Sequence, residues 1–79
     1  MIENIKYLND YNFKVYFKNG EIKVIDIEPY IHKHEKIFTS MIENQKIIKN
    51  VKIEPMGMGI YWNDLMGIEA QTLYDLTDN

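Results

Sequence analysis

The pair Asn19-Gly20 constrains this chain more than any other feature, because it sits between two alternating runs in residues 13–27, FKVYFKNGEIKVIDI. A type I′ turn needs φ > 0 at both central residues, and Asn and Gly adopt that conformation at least cost. The segment therefore reads as a β-hairpin with a two-residue loop. That register sets Lys18 opposite Glu21, Phe17 opposite Ile22, Tyr16 opposite Lys23 and Val15 opposite Val24. Phe13, Val15, Phe17, Ile22 and Val24 then share an apolar face, with Lys14, Tyr16, Lys18, Glu21 and Lys23 on the other. A lone hairpin is marginal in water, so the rest of the chain must cover the apolar side.

Seventy-nine residues suffice for one domain spanning 1–79, near the lower limit for a core without staples. There is no cysteine, which removes disulfides and thiolate zinc sites. Six Tyr, three Phe and one Trp supply large buried areas in compensation. No apolar run has the length of a membrane span, and the first residues lack a signal-peptide layout, so a cytoplasmic bacterial protein without membrane contact is the expectation. Charge is divided along the chain. Residues 1–53 hold nine Lys against seven acids, a balance of +2, whereas residues 54–79 hold five acids and no Lys, a balance of −5. Arg is absent, and with it the planar donor fork used for bidentate recognition of guanine or phosphate.

Residues 2–8 suit a short strand, and Asn9-Asp10 a turn, so the first three strands form an antiparallel meander. Glu28-Pro29 is a helix entrance. Tyr30, Ile31, His34, Ile37, Phe38, Met41 and Ile42 follow at helical spacing, either as one amphipathic helix or as a turn at 29–31 and a helix from His34. Asn44 is the expected stop. Residues 47–53 read as a fourth strand by the parity of Ile47, Val51 and Ile53, and 59–62 as a fifth that pairs with it. Residues 63–67 read as a loop. Residues 69–76 form a short helix with Ala70, Leu73, Tyr74 and Thr77 on one face, stable only if docked. The fold class is α+β: an antiparallel sheet built of a three-stranded meander, a helix, a β-hairpin and a short C-terminal helix.

The order Asp10-Tyr11, Val15, Phe17, Asn19-Gly20, Asp26-Ile27, Phe38, Met41, Val51, Ile60, Trp62 and Leu73-Tyr74 resembles the small bacterial domain-of-unknown-function family 2442 over nearly the whole chain. The family pattern is an aspartate-tyrosine pair, a strand, a Gly turn, an aspartate exit, a helix with a Phe, a strand, a tryptophan and a closing leucine-tyrosine. This chain departs from it after the tryptophan, where Asn63-Asp64-Leu65, Gly67-Ile68 and Ala70-Gln71 replace the usual Pro-Asn-Gly, Asp-Leu and Pro-Asp. A carboxylate common in the family is thus missing at Gly67. The resemblance implies a compact α+β domain, found alone or joined to a helix-turn-helix domain, and in some members encoded beside a second small protein in a toxin-antitoxin-like arrangement.

Catalytic chemistry has few candidates. His32-Lys33-His34-Glu35 places two histidines at a spacing that does not share a helix face, with a lysine between them, so a metal is not expected there. Ser40 is the only serine and lacks a nucleophile elbow. Asp26 falls on the core parity in the two-residue register and is expected to turn back and accept backbone N–H groups at the helix entrance. No catalytic, cofactor or metal residues are assigned, and the chain is read as a non-enzyme.

Two surfaces remain for binding. The acidic final third, with Tyr61, Trp62, Asp64, Glu69, Tyr74 and Asp75, is the candidate partner-binding surface for another, basic protein. The competing reading makes Trp62 and Tyr74 core and the acids solubilising. Lys14, Tyr16, Lys18 and Lys23 form a second face of the kind that tracks single-stranded nucleic acid, though Glu21 and the negative net charge weigh against it. An uncovered edge strand also leaves a homodimer open. The function expected is a protein-interaction module, regulatory or antitoxin-like, and the alternative is a nucleic-acid-associated accessory domain.

Overall fold

The structure, a computed structural model, describes residues 1–76. Three strands, β1 (Ile2–Asn9), β2 (Asn12–Phe17) and β3 (Ile22–Asp26), form one antiparallel sheet in that order. Helices α1 (Glu28–Lys33) and α2 (Thr39–Glu43) follow, then a 3-10 segment over Gln45–Asn50. A second antiparallel sheet holds β4 (Lys52–Ile53), β5 (Gly59–Tyr61) and β6 (Gly67–Glu69), and α3 (Ala70–Asp75) comes after it. The α+β class and the three-stranded meander are as expected.

The hairpin at 13–27 forms, but its loop has three residues and its register is one residue away from the expected one. Phe17 N–H donates to the Glu21 carbonyl at 2.8 Å, and Gly20 N–H donates to the Phe17 carbonyl at 3.0 Å. Only Gly20 takes the left-handed conformation, with φ 92°; Asn19 does not. The Asn19 side chain explains the choice. Its Oδ1 accepts the Glu21 N–H at 2.9 Å and its Nδ2 donates to Glu21 Oε1 at 2.8 Å, which closes the turn without a second positive φ. Three-residue loops ending on a left-handed Gly are the next most common hairpin connection after the two-residue turns.

A one-residue slip exchanges the two faces of β3. Phe13 now pairs with Ile25 and Val15 with Lys23, while Tyr16 pairs with Ile22 and Lys14 with Val24. Ile25 and Ile27 are fully buried, and Ile22 and Val24 are 56% and 61% exposed, which corrects the expected core membership. Burying Ile25 and Ile27 contributes about 1.5–3 kcal/mol each, and Ile27 can join them only in this register. Phe13, Val15 and Phe17 are buried as expected. Asp26 is therefore exposed opposite Asn12 and not on the core parity. Its Oδ1 still accepts the Glu28 N–H at 2.9 Å, the expected role at the helix entrance.

The helical stripe is broken. His34 (φ −121°, ψ 39°) ends α1, with its N–H shared between the Tyr30 and Ile31 carbonyls and its ring 4.4 Å from that of Tyr30. The break resets the phase, so Ile31, Phe38 and Met41 stay buried but Ile37 turns outward at 50% exposure. Asn44 stops α2 as expected, its N–H donating to the Ser40 carbonyl. Its Oδ1 then accepts the Lys46 N–H at 3.2 Å, which starts the 3-10 segment where a strand from residue 47 was expected. The strand shrinks to Lys52–Ile53 and still pairs with β5 as a hairpin.

The expected loop at 63–67 is shorter, because β6 was not foreseen. Asn63 Oδ1 accepts the N–H groups of Leu65 and Met66 at 2.9 and 2.8 Å, and Trp62 N–H donates to the Met66 carbonyl at 2.8 Å. That tight loop lets Ile68 pair with Ile60. On α3, Leu73 is buried while Ala70 and Tyr74 pack against the core; Thr77 lies outside the described residues. At the centre, the Trp62 ring meets Phe13 of the first sheet edge-on at 6.3 Å and Phe38 beside α2 at 6.1 Å. One side chain thus joins both sheets and the helical layer.

Candidate interaction surface

Trp62 is a core residue: it is 8% exposed, and its indole N–H donates to the Ile48 carbonyl at 2.8 Å. Tyr74 is half-buried and ties α3 to the hairpin. Its ring stands edge-on to Phe17 at 5.3 Å, its hydroxyl donates to Glu21 Oε1 at 2.7 Å, and Lys23 Nζ lies 3.6 Å from its ring centroid. Tyr61 is half-buried on β5, between Lys52 and Gly67. Asp64 is exposed on the loop after Trp62, and Asp75 is exposed at the end of α3, where it accepts from Gln71 Nε2 at 3.0 Å.

The Tyr74 link leaves an electrostatic signature. The Glu21 carboxyl is held below the usual carboxylate range, first by the Tyr74 hydroxyl and then by the Asn19 amide, with desolvation opposing them and Lys23 adding a smaller attraction. Because the folded pKa is lowered, this contribution to stability is present above the ordinary carboxylate pKa and is lost as pH falls through the folded value. In Tyr74→Phe, a side-chain carboxyl NMR titration is expected to move Glu21 up toward its ordinary value, and the acid limb of the stability profile flattens. An unchanged Glu21 titration would show that the hydroxyl is not the main cause.

Glu69 belongs to the most distinctive concavity. Glu54 N–H donates to the Gly59 carbonyl at 2.9 Å, and Gly59 pairs with Glu69 on its other side, so Glu54, Gly59 and Glu69 lie abreast at one end of the second sheet. At Gly59, between the two glutamates in the sheet, the place a Cβ would take is occupied by the backbone of β6. A Cβ there would lie 2.6 Å from the Ile68 carbonyl oxygen, so glycine is what lets β6 approach this closely and sets Glu69 in line with Glu54. Beside these residues lies a groove of about 430 Å³ lined by Met1, Glu54, Met58, Glu69, Ala70 and Gln71. Met1 and Met58 are 53% and 51% exposed. Glu54 had not been singled out; it lies fifteen positions before Glu69, and only the unforeseen β6 brings the two together. The walls offer carboxylates, thioethers, one side-chain amide and the Met1 amine, with no hydroxyl, thiol or imidazole.

The basic strand face does not exist as one surface. Lys14 and Tyr16 lie on the outer side of the first sheet with Lys6, whereas Lys23 lies on the opposite side over Tyr74, and Lys18 reaches from the turn to the Met56 carbonyl at 3.3 Å. The register slip replaces Lys23 on the outer face by Ile22 and Val24. Among the described residues no three His, Cys, Asp or Glu side chains converge as a metal site; His32 approaches Glu28 at 3.4 Å, and Ser40 Oγ faces Met66 Sδ at 3.6 Å. No described helix is long and apolar enough to cross a membrane.

No curated protein and no solved structure matches the chain. Residues 2–78 match the family model described as Protein of unknown function (DUF2442), and the chain, carrying the two-sheet arrangement above, belongs to that family.

Proposed function

We propose that the chain is a non-enzymatic protein-binding module, the regulatory or antitoxin-like member of a pair, and that it receives a basic, partly apolar segment of its partner in the groove between Glu54 and Glu69. The observation that carries this reading is a single groove lined by two carboxylates and two exposed methionines. Carboxylates of one sign steer a basic partner and set its register. Methionine side chains are flexible and polarizable, and adapt to irregular apolar surfaces. Residues 54–76 add Asp64 and Asp75 with no Lys or Arg, so the charges that oppose the groove's field come from outside that stretch, from the Met1 amine and from Lys18 at the Met56 carbonyl.

The test is affinity capture from the native cell with wild-type bait beside Glu54→Gln/Glu69→Gln. The wild type is expected to retain a basic protein that the double variant loses. With that protein purified, association slows about tenfold or more in the double variant. Asp64→Asn and Asp75→Asn, outside the groove, change the rate by about twofold or less under the same screening. Equal association for wild type and double variant would remove the groove as the contact.

A further inference from the structure

We infer that β3 is a self-pairing edge, and that two copies of this chain join through it about a two-fold axis at Val24. The parity of the hairpin supplies the first step. Phe17 N–H bonds the Glu21 carbonyl, and Ile27 N–H bonds the Tyr11 carbonyl, so the odd-numbered residues 21 to 27 point their backbone groups toward β2. The N–H and C=O groups of Ile22, Val24 and Asp26 therefore point away from it. β3 ends the strand order of its sheet, and among the described residues no backbone hydrogen bond reaches those outer groups.

Edge strands are normally blunted by bulges, prolines or charge. β1, at the other edge, has two register irregularities, one between Ile2 and Asn4 and one between Tyr7 and Asn9. β3 has none and holds no proline; of its two charged residues Lys23 turns inward over Tyr74 and Asp26 stands at its end, and Ile22 and Val24 are exposed beside its free edge. A regular edge with β-branched side chains exposed beside it is a template for a further strand, and a second copy fits it. In an antiparallel pairing with Val24 opposite Val24, Ile22 falls opposite Asp26 and Asp26 opposite Ile22. All three outward residues of both strands then sit in hydrogen-bonded pairs. A shift centred on Lys23 would face two ammonium groups across the axis and leave Asp26 unpaired; one centred on Ile25 would leave out Ile22. The chosen register places β-branched Val24 against its own copy and no like charges opposite each other. Because the contact is isologous it closes as a dimer and does not extend into a fibre. Stacking the outer faces instead would bring together two faces that each carry Lys6 and Lys14 side by side.

The full chain, without cysteine, allows a direct test. Sedimentation equilibrium from micromolar to near-millimolar concentration is expected to shift from the 9.5 kDa chain to twice that mass. Val24→Lys, folded by circular dichroism, stays at the single-chain mass. Under mild oxidation Val24→Cys forms a disulfide-linked dimer, since hydrogen-bonded pairs hold Cα atoms about 5.5 Å apart, within disulfide reach. Ile22→Cys does not, because its two copies lie roughly 14 Å apart in this register. A single-chain mass for wild type at every concentration, dimerisation undiminished by Val24→Lys, or equal cross-linking at positions 22 and 24 would each overturn the inference.

Discussion

Gly57→Ala is expected to destabilise the domain by about 2–5 kcal/mol, through backbone conformation and contact together. Gly57 has φ 71°, and a Cβ there would meet the backbone of Ile2, whose carbonyl oxygen and nitrogen both lie in its way, the nitrogen at 2.8 Å. Ile2 is 1% exposed and pairs with Phe17, so it cannot retreat without opening the β1–β2 ladder. Domains of this length have total stabilities of roughly 4–12 kcal/mol, so a loss of that size leaves a large unfolded fraction. Gly20→Ala is the comparison that separates the two causes. Gly20 has φ 92° but open space around its Cβ position, so only the conformational cost of about 1–2 kcal/mol applies. Urea denaturation of both variants checks the account. Equal losses would mean that the approach of Ile2 to Gly57 is not a structural constraint.

Trp62→Ala is expected to cost about 3–5 kcal/mol, the range for removing a large aromatic from a packed core. The ring is the common neighbour of Phe13 and Phe38, and no side chain nearby can take its place across all three layers. Trp62→Phe isolates the polar part. It keeps most of the ring contact but leaves the Ile48 carbonyl, now bonded by the indole at 2.8 Å, without its donor, at a cost of about 1–3 kcal/mol. A Trp62→Phe loss close to zero by the same denaturation would show that water replaces the indole at Ile48.

The hairpin, the Asp26 helix entrance, the Asn44 stop and the pairing of β4 with β5 were legible because each rests on local chemistry. The register of β3 was not. Asn-Gly suits two loops, and the choice between them is made by Asn19 hydrogen bonds to Glu21, a side chain outside the two-residue turn. That one-residue difference decides whether Ile22 and Val24, or Ile25 and Ile27, enter the core. β6 escaped for a different reason: three residues between a loop and a helix carry too little periodicity to register. The candidate groove was lost with it, since Glu54 and Glu69 meet only across β5. Trp62 and Tyr74 drew attention as aromatics beside acids. Their hydrogen bonds to Ile48 and Glu21 show that packing accounts for the first and the tie between α3 and the hairpin for the second.

The methionines provide the most direct measurement of where a partner docks. Met41 and Met66 are buried in the core, whereas Met1 and Met58 line the groove and Met56 stands exposed near it. Methyl NMR of the labelled chain, titrated with the basic protein retained in affinity capture, is expected to shift and broaden Met1 and Met58 while Met41 and Met66 serve as unmoved references. Shifts confined to the Ile22 and Val24 methyls on the outer sheet face, with Met1 and Met58 unchanged, would contradict the groove as the binding surface.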